Sequence, residues 1–305
     1  MPRCLVTGHR GYIGSRLFKK LESLGHEVIG IDLKDGDDIN LILSPNEIKN
    51  SKYYRFKPEY IFHMACNPRV EYSVKNPIET AKNNIISTTN ILNFSKSVGA
   101  KRLIFSSSSA IYGDGAKPLN PYGLQKLYSE MECNLWKTNL YNLDTVSLRY
   151  FNVYSHDQIV SDAYATVIAN WIDLIKSDKT PFINGDGEQR RDMVHVDDVV
   201  SANLFAMSDN VNFDADYYDV GTGINISLNE IKRIVNKWLP EVEFIYKDER
   251  NGDVKKTLAD IKPLKKLGWQ AKISPEEGIN SCFKKLFQYK SGLGRAAMRN
   301  QAWGC

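Results

Sequence analysis

The sequence predicts an α/β protein with a parallel sheet, helices on both faces of that sheet, and a smaller second lobe. Three observations favour this fold class. Short apolar runs alternate with helical patterns through the first half of the chain, as expected of βαβ units. A glycine-rich turn joins the first apolar run to the first helix. After about Asn152 the alternation loosens, which indicates a separate lobe.

The elements of the first half follow one another in a regular order. The strands predicted there are residues 4–7, 27–31, 60–64, 101–106 and 144–149. The helices predicted there are residues 13–24, 84–98 and 122–138. In the second half the patterns predict two helices and one strand, at 163–175, 228–238 and 241–246 respectively.

Composition and charge narrow the classes of partner. The chain has 305 residues, and its 40 basic and 36 acidic residues give a formal net charge of +4. That balance does not indicate nucleic acid and is compatible with a small anionic substrate. The five cysteines lack metal-ligand spacing, which predicts no metal site and a reducing, cytoplasmic environment. No apolar run reaches the roughly 18 residues of a membrane helix, so no membrane partner is expected.

The first turn has the sequence TGHRGYIG and follows a strand, so it contains GxxGxxG. Gly8 permits the tight turn, Gly11 lets the backbone approach a pyrophosphate, and Gly14 lets the helix pack close to the sheet. The N–H groups and the positive end of the helix would then hold the anion. The other cofactor-binding residues predicted in this turn are Arg10, Tyr12 and Ile13.

Asp32 follows the second strand, where a carboxylate is expected to bind the ribose hydroxyls. Because this carboxylate would repel a 2′-phosphate, it favours NAD over NADP. Arg10 is an opposing signal, since a basic residue between such glycines often contacts the extra phosphate. It could equally be a solvated charge or contact the pyrophosphate of NAD. The sequence therefore predicts NAD, with NADP as the less favoured alternative.

The turn and Asp32 define the expected domains. Residues 1–154 are predicted to form a Rossmann-type, doubly wound NAD-binding domain, with return segments near 182–222. Residues 155–181 and 223–290 are predicted to form a smaller α/β substrate-binding lobe. Residues 291–305 are a tail to which no function is assigned.

A second constellation follows the strand at 101–106. Residues 106–109 are all serine, and farther on Tyr122 and Lys126 stand four positions apart, on one face of a predicted helix. A phenol has a pKa of about 10 in water, and a nearby ammonium and a positive nicotinamide would lower it. Tyr122 could then remove a proton from a substrate hydroxyl while hydride leaves the same carbon. Ser108 would hydrogen-bond the same oxygen.

These motifs resemble the extended short-chain dehydrogenase/reductase family, and within it the nucleotide-sugar epimerases, over about residues 3–286. Family members carry a similar SSSxxVYG segment followed by NPYGxSK, and their catalytic third serine corresponds to Ser108. The resemblance also implies two cofactor-side residues. Ala65, at the end of the IFHMA segment, would line the cofactor, and Asn84 would support the active-site helix.

The same resemblance implies a set of substrate-binding residues. Asn152, which ends LRYFN, would contact the substrate diphosphate. Arg191 and Arg250 would bind its phosphates, because planar guanidinium groups bind phosphate oxygens in pairs. Asp253 would bind the nucleoside ribose. Thr257 stands where a bulky tyrosine, in family epimerases, excludes N-acetylated sugars.

The resemblance leaves several reactions to be distinguished. Related dehydratases carry an Asp-Glu pair, and related decarboxylases a Glu, where this chain has Ser109 and Ala110. Related reductases use NADPH and carry a Ser-Cys-Ile-Tyr-Pro segment that is absent here. We therefore expect a nucleotide-sugar 4-epimerase that uses tightly bound NAD for transient oxidation at C4, rotation of the keto-sugar and re-reduction.

The expected substrate is a UDP-hexose or a UDP-N-acetylhexosamine. A dehydratase, decarboxylase or reductase of the same family remains an alternative. From another class, a non-catalytic NAD(P)-binding sensor or an RNA-binding relative is the alternative, although such proteins typically lose the Tyr–Lys pair. Relatives often dimerise through a four-helix bundle, which residues 84–98 and 122–138 could supply, so a homodimer is expected.

Overall fold

The structure is a computed structural model that describes residues 1–113, 115, 117–160, 166–249 and 254–292. The chain divides into two compact units. The first contains Met1–Phe151, Val196–Val220 and Asp260–Ala271. The second contains the described residues within 152–195, 221–259 and 272–292. The predicted tail lies outside the described residues from position 293 onward.

The strands and helices of the described residues alternate along the first half of the chain. The strands are β1 (Arg3–Thr7), β2 (Glu27–Ile31), β3 (Tyr60–His63), β4 (Arg102–Ser108), β5 (Thr145–Tyr150), β6 (Val153–Tyr154), β7 (Phe182–Asn184), β8 (Arg190–Asp192), β9 (Val194–His195), β10 (Tyr218–Val220), β11 (Asn225–Ser227) and β12 (Ile245–Lys247). The helices are α1 (Tyr12–Ser23), α2 (Ile39–Ile42), α3 (Lys52–Phe56), α4 (Val70–Lys75), α5 (Pro77–Ala81), α6 (Ser87–Ser97), α7 (Pro121–Lys137), α8 (Val167–Lys176), α9 (Val196–Ala206), α10 (Leu228–Trp238), α11 (Lys262–Leu267) and α12 (Pro275–Lys290).

A six-stranded sheet, counted over the described residues, forms the centre of the first unit. Its spatial order is β2-β1-β3-β4-β5-β10, and every pairing is parallel. The order reverses beside β1, because β2 lies on one side of it and β3 on the other. That reversal is the switch point at which α/β sheets bind ligands, beyond the carboxyl ends of the strands.

Both faces of this sheet are buried. Leu5 and Ile61 belong to an apolar cluster that also includes residues of α6 and α7. Their neighbours Val6 and Phe62 point to the opposite face, because side chains alternate along a strand, and they are equally buried. The structure confirms the predicted α/β class with a doubly wound parallel sheet.

The second unit has its own apolar core, built mainly from α8, α10 and α12. Two of these helices begin with a capping box, in which a serine hydroxyl accepts from a backbone amide and a glutamate accepts from the serine amide. Three two-stranded sheets complete the described part of the unit, formed by β11 with β8, β12 with β7, and β6 with β9.

Three predicted elements differ from the structure. The predicted helix 84–98 is continued upstream by α5 and contains a π-helical turn, Lys82–Ile86, before α6 begins. The predicted strand 241–246 is formed only as β12, because pairing with β7 is limited to Ile245–Lys247. The predicted helix 163–175 appears as α8 from Val167 onward, and residues 161–165 lie outside the described ranges.

Candidate active site

The glycine turn lies at the switch point between β1 and β3. Gly8 has a φ of 69°, in the left-handed region that favours glycine. A Cβ at Gly8 would stand 2.8 Å from the amide nitrogen of Ala65, which follows β3. The Thr7 hydroxyl accepts from that same amide at 3.1 Å and fixes Ala65 beside the turn. A Cβ at Gly14 would stand 2.2 Å from the Gly8 carbonyl oxygen, so neither glycine position has room for a side chain.

This turn has the features that a dinucleotide requires. The helix α1 begins at Tyr12, directly after the extended N-cap residue Gly11. The first turn of an α-helix leaves amide groups without acceptors inside the helix, and the helix end carries partial positive charge. Space that a Cβ would fill at Gly8 is kept open in front of that end. The residues present therefore fit the pyrophosphate of a dinucleotide.

Asp32 joins the glycine turn to the end of β2. Its Oδ2 accepts from the Arg10 amide at 2.9 Å, and its Oδ1 accepts from the Lys34 amide at 3.0 Å. A carboxylate has about four lone-pair sites, so Asp32 retains capacity to accept ribose hydroxyls.

Arg10 has a partner that the sequence did not indicate. Its guanidinium pairs with Asp35, with an Nη2–Oδ1 distance of 2.9 Å and an Nε–Oδ1 distance of 3.0 Å. This guanidinium holds the pKa of Asp35 below its ordinary value. The positive charge of Arg10 is therefore neutralised inside the predicted cofactor site.

Ser108 is the last residue of β4, at the carboxyl edge of the sheet. Its hydroxyl accepts from the Ala110 amide at 3.2 Å and caps the short 3₁₀ turn Ser109–Ile111. The backbone direction changes at this point, so the side chain of Ser108 stands where the strand ends.

The predicted Tyr–Lys helix is α7, and local signals set its beginning. Asn120 is the N-cap, with its side-chain oxygen accepting from the Gly123 amide at 2.9 Å, and Pro121 occupies the first turn. Tyr122 is buried in this turn, and its amide donates to the Ser73 hydroxyl at 3.1 Å. The partial positive charge at the helix beginning favours the phenolate form of a tyrosine there.

Lys126 follows one turn later and is also buried. Its Nζ donates to the Ser106 carbonyl at 2.6 Å, which ties α7 to β4 two residues before Ser108. Residues at i and i+4 share one helix face, so the ammonium and the phenol of Tyr122 lie on the same side of α7.

Gly123 allows α7 to lie directly against the end of β4. A Cβ at this position would stand 2.6 Å from the Ala110 carbonyl oxygen. The structure thereby brings the beginning of the Tyr–Lys helix and the turn after Ser108 into backbone contact. The sequence analysis did not single out Gly123, although its place next to Tyr122 was visible.

Asn84 links the end of β3 to α7. Its Oδ1 accepts from the Asn67 amide at 2.7 Å, and its Nδ2 donates to Gln125 Oε1 at 2.7 Å and to the Asn67 carbonyl at 3.1 Å. It is buried within the π-helical turn. Both ends of the amide are thus engaged by protein groups, and its geometry suits a positioning role between cofactor strand and catalytic helix.

A buried ion pair lies next to these residues. The Arg149 guanidinium on β5 binds the Glu130 carboxylate on α7, with an Nη2–Oε2 distance of 2.7 Å. Glu130 also accepts from the hydroxyl of Ser107, the neighbour of Ser108. The pair therefore fixes α7 to both β4 and β5.

The other side of Arg149 is aromatic. Its guanidinium carbon lies 3.3 Å from the ring centre of Tyr217 and 4.8 Å from that of Tyr112. The Tyr112 hydroxyl donates to Asp219 Oδ1 at 2.8 Å, and the Asp260 amide donates to Oδ2 at 2.9 Å. Burial raises the pKa of Asp219 to about 6. None of these groups was predicted as part of the site.

In the second unit, a cavity of about 230 Å³ is lined by Asn152 and Arg191. Trp171, Phe182 and Met193 form part of its apolar wall. The cavity thus offers apolar surface beside an amide and a guanidinium, which suits a planar ring carrying an anionic group.

Asn152 and Thr257 lie together in this unit. Asn152 has a positive φ of 21°, and its Nδ2 donates to the Asp192 carbonyl at 2.7 Å and to Thr257 Oγ1 at 3.5 Å. The Asp192 amide also donates to Thr257 Oγ1, at 3.2 Å. A non-glycine residue at positive φ is typical of functional positions held by their surroundings.

The two adjacent arginines of this unit differ in their contacts. Arg190 is engaged by Glu230, at 2.8 Å, and by both the side chain and the carbonyl of Asn225. Arg191 faces the cavity, as expected of the phosphate-binding member of the pair. Arg250 and Asp253 lie outside the described residues.

Two further searches concern the described ranges alone. They contain no cluster of three or more His, Cys, Asp and Glu side chains suited to a metal ion. None of their helices combines the length and apolar character needed to cross a membrane.

Comparison with known proteins agrees with the fold and the motifs. Residues 4–221 match the model of the NAD dependent epimerase/dehydratase family. A UDP-glucose 4-epimerase of Mycolicibacterium smegmatis is 31% identical over 91% of this chain and 96% of its own length.

Two solved structures are similar over nearly the whole chain. The UDP-glucose 4-epimerase of Thermotoga maritima, solved with UDP-glucose, has a TM-score of 0.83 and 33% identity, covering 95% of this chain and 99% of that one. The UDP-N-acetylglucosamine 4-epimerase of Methanobrevibacter ruminantium M1, in complex with UDP-N-acetylmuramic acid, has a TM-score of 0.82 and 29% identity, covering 96% and 99%.

The fold and these matches define a class, the NAD-dependent enzymes that act on nucleotide-sugars. Within it, the chain belongs to the NAD dependent epimerase/dehydratase family.

Proposed function

We propose that this protein is a nucleotide-sugar 4-epimerase with NAD as its cofactor. The observation that carries the proposal is the meeting of Ser108, at the end of β4, with the beginning of α7, where Tyr122 and Lys126 are buried on one face. The similarity to two solved 4-epimerases supports the same reaction.

The chain's own residues have separate roles in this reaction. The phenolate of Tyr122 takes the proton of the C4 hydroxyl, and Ser108 donates a hydrogen bond to the same oxygen. Lys126 and the positive end of α7 keep Tyr122 ionised. NAD, when bound, supplies the hydride acceptor for C4 and returns the hydride to the other face of the sugar. Asp32 would bind its ribose, and the glycine turn its pyrophosphate.

The residues after Ser108 favour epimerisation over elimination or decarboxylation. Ser109 and Ala110 form a 3₁₀ turn and carry no carboxylate. Loss of water or of carbon dioxide needs an additional acid or base, and neither side chain can serve as one. A dehydratase or decarboxylase would therefore have to recruit a proton-transfer group from elsewhere in the chain.

The substrate's nucleotide diphosphate is assigned to the second unit. Asn152 and Arg191 line its cavity, and Arg191 supplies the planar donor fork that suits a phosphate. Arg250 and Asp253 are proposed to complete the phosphate and ribose contacts. The sugar is proposed to be a hexose or an N-acetylhexosamine linked to UDP, because Thr257 leaves more room than a tyrosine would.

The reaction is tested by Tyr122→Phe, which removes the acid–base group and keeps the ring. We expect a loss of about 10²- to 10⁴-fold in turnover, assayed by NMR of the sugar products across UDP-, GDP-, CDP- and dTDP-sugars. Tyr128→Phe is the matched control, because Tyr128 is exposed on the same helix. Full activity of Tyr122→Phe would refute the mechanism. If no sugar produced a change at 340 nm, a non-catalytic binding role would replace it.

The sugar preference is tested by Thr257→Tyr. We expect this variant to lose turnover of UDP-N-acetylglucosamine and to keep turnover of UDP-glucose, because the larger ring fills the space of the N-acetyl group. Thr257→Ser is the control, since it keeps the hydroxyl that contacts Asn152 and Asp192. The proposal fails if the unmodified protein converts only UDP-glucose and UDP-galactose.

We further propose a homodimer in which α7 packs against its copy. The exposed side chains of α7 within this helix are all large and apolar, namely Leu124, Tyr128, Met131 and Leu135. They recur every three or four residues and form one stripe, which suits an isologous helix–helix contact. Light scattering should give twice the chain mass, and Met131→Glu should give monomers, whereas Leu140→Glu, at an exposed site outside α7, should not. A monomeric unmodified protein would contradict the proposal.

A further inference from the structure

We propose that Asp35 determines cofactor specificity: by holding the guanidinium of Arg10, it deprives a 2′-phosphate of its cation and so selects NAD over NADP. The inference rests on the NAD site proposed above and adds a residue that acts through Arg10. Asp35 is therefore a positioning residue for Arg10 and needs no contact with the cofactor of its own.

The position of Arg10 brings it close to the ribose. Its amide donates to Asp32 Oδ2 at 2.9 Å, and Asp32 is the carboxylate assigned to the ribose hydroxyls. In NADP the 2′-hydroxyl carries a phosphate, so that phosphate would enter next to Asp32 and Arg10. An arginine in this position could offset the repulsion from Asp32 only if its donor fork were available.

Asp35 occupies that fork. Its Oδ1 lies 2.9 Å from Nη2 and 3.0 Å from Nε of Arg10, and its Oδ2 lies 3.3 Å from Nε. Two of the guanidinium nitrogens are thus engaged by one carboxylate. The turn Leu33–Asp35 that carries Asp35 is capped by the side chain of Asp32, so the two acidic residues are held in one local structure.

His9 fixes Asp35 from the other side. Its Nε2 lies 3.1 Å from Asp35 Oδ2. The imidazole itself has little freedom, because a Cβ on Gly30 of β2 would stand 2.3 Å from its ring. Asp35 is therefore braced between an immobile ring and Arg10, which explains how an exposed carboxylate can keep the guanidinium in one place.

The other acidic side chains of this loop have different partners. Asp37 binds Lys52, at 3.3 Å, and the Tyr53 hydroxyl. Asp38 caps α2 by accepting from the Asn40 amide at 2.8 Å. The interaction with Arg10 thus distinguishes Asp35 from its neighbours, and Asp38 provides a control of equal charge.

The test is a competition for binding by the full-length protein. The protein is exchanged with an equimolar excess of NAD⁺ and NADP⁺, freed of unbound nucleotide and denatured, and the released nucleotides are separated and quantified. The variants are Asp35→Asn, Asp38→Asn and the double variant Asp35→Asn with Arg10→Ala. Asparagine remains a good N-cap at position 38, so that control removes a charge and keeps the cap. Circular dichroism verifies that each variant is folded.

We expect Asp35→Asn to raise the ratio of bound NADP⁺ to NAD⁺ by about tenfold or more, the effect of one charge-assisted contact. Asp38→Asn should leave the ratio within about twofold of the unmodified protein, as expected for a remote surface charge. The double variant should return to the unmodified ratio, because the gain depends on Arg10.

Each other result overturns the inference. An unchanged ratio in Asp35→Asn, an equal gain in Asp38→Asn, or a gain that survives Arg10→Ala would each show that Asp35 does not act through Arg10. In all three cases, retention of NAD⁺ by the unmodified protein leaves the proposed function intact. Failure of the unmodified protein to retain either dinucleotide would refute the NAD site together with this inference.

Discussion

Two ion pairs in the first unit have similar lengths and opposite surroundings. In the Arg149–Glu130 pair the side chains are 6% and 3% exposed, and in the Arg10–Asp35 pair they are 57% and 29% exposed. Removing charges from water costs several kcal/mol unless each is paired, whereas an exposed pair contributes little and is screened by salt. The comparison indicates that the buried pair holds the active-site elements together, while the exposed pair can control ligand choice without affecting the fold.

The largest expected effect comes from breaking the buried pair. Glu130→Ala leaves Arg149 charged and without its carboxylate partner in the interior. We expect the free energy of unfolding to fall by about 3–5 kcal/mol, measured by urea denaturation.

Glu132→Ala is the matched control for that experiment. Glu132 lies on the same helix and accepts a hydrogen bond from the uncharged Thr89 hydroxyl at 3.0 Å. Its loss should cost less. The double variant Glu130→Met with Arg149→Leu should recover much of the stability, because no buried charge remains unpaired. Equal losses for Glu130→Ala and Glu132→Ala would remove the distinction between buried and exposed pairs.

A smaller effect is expected from pH, through the buried Asp219. Its pKa is raised to about 6 in the folded protein, so between about pH 4 and pH 6 the native state holds more protons there than the unfolded state. The contribution of Asp219 to stability is therefore fully present below about pH 4 and is lost as the pH rises through about 6. A difference of this size corresponds to about 2–3 kcal/mol.

Asp219→Asn should abolish this part of the pH dependence. The asparagine can still accept from the Asp260 amide and can donate to the Tyr112 hydroxyl, so the contacts are retained without a titrating group. Urea denaturation at several pH values from 4 to 7 is the measurement. Parallel curves for the two proteins would show that Asp219 titrates normally.

The smallest effect is expected from breaking the exposed pair. Asp35→Asn should leave the urea midpoint unchanged within error at 0.15 M salt, because exposed ion pairs contribute little and are screened. Denaturation at low and high salt provides the check. A clear loss of stability would mean that Asp35 supports the fold, and the two ion pairs would then differ in degree only.

Local sequence signals predicted several elements well. The bounds of α10 agree with the predicted 228–238, because Ser227 and Glu230 form a capping box that is visible in the sequence. The start of α7 is set by Asn120 and Pro121, and the glycine turn by the spacing of its glycines. These features depend on residues within a few positions of one another.

Other features of the site depend on residues far apart in the chain. Arg10 and Asp35 are 25 positions apart, and Tyr112 and Asp219 are 107 apart. Nothing in the local pattern of either residue identifies its partner, because the contact arises only when the sheet forms. The π-helical turn was missed for a similar reason, since its periodicity differs from that of an α-helix by a single residue.

That turn has a consequence for how the chain can change in length. Each residue of an α-helix advances the rotation by about 100°, and a π-helical turn contains one residue more than an α-helical turn. Deleting any one residue from Lys82–Ile86 would rotate α6 by roughly that angle relative to α5 and would break the reach of Asn84 to Asn67 and Gln125. Apart from Asn84 itself, this segment is therefore constrained in its number of residues more than in their identity.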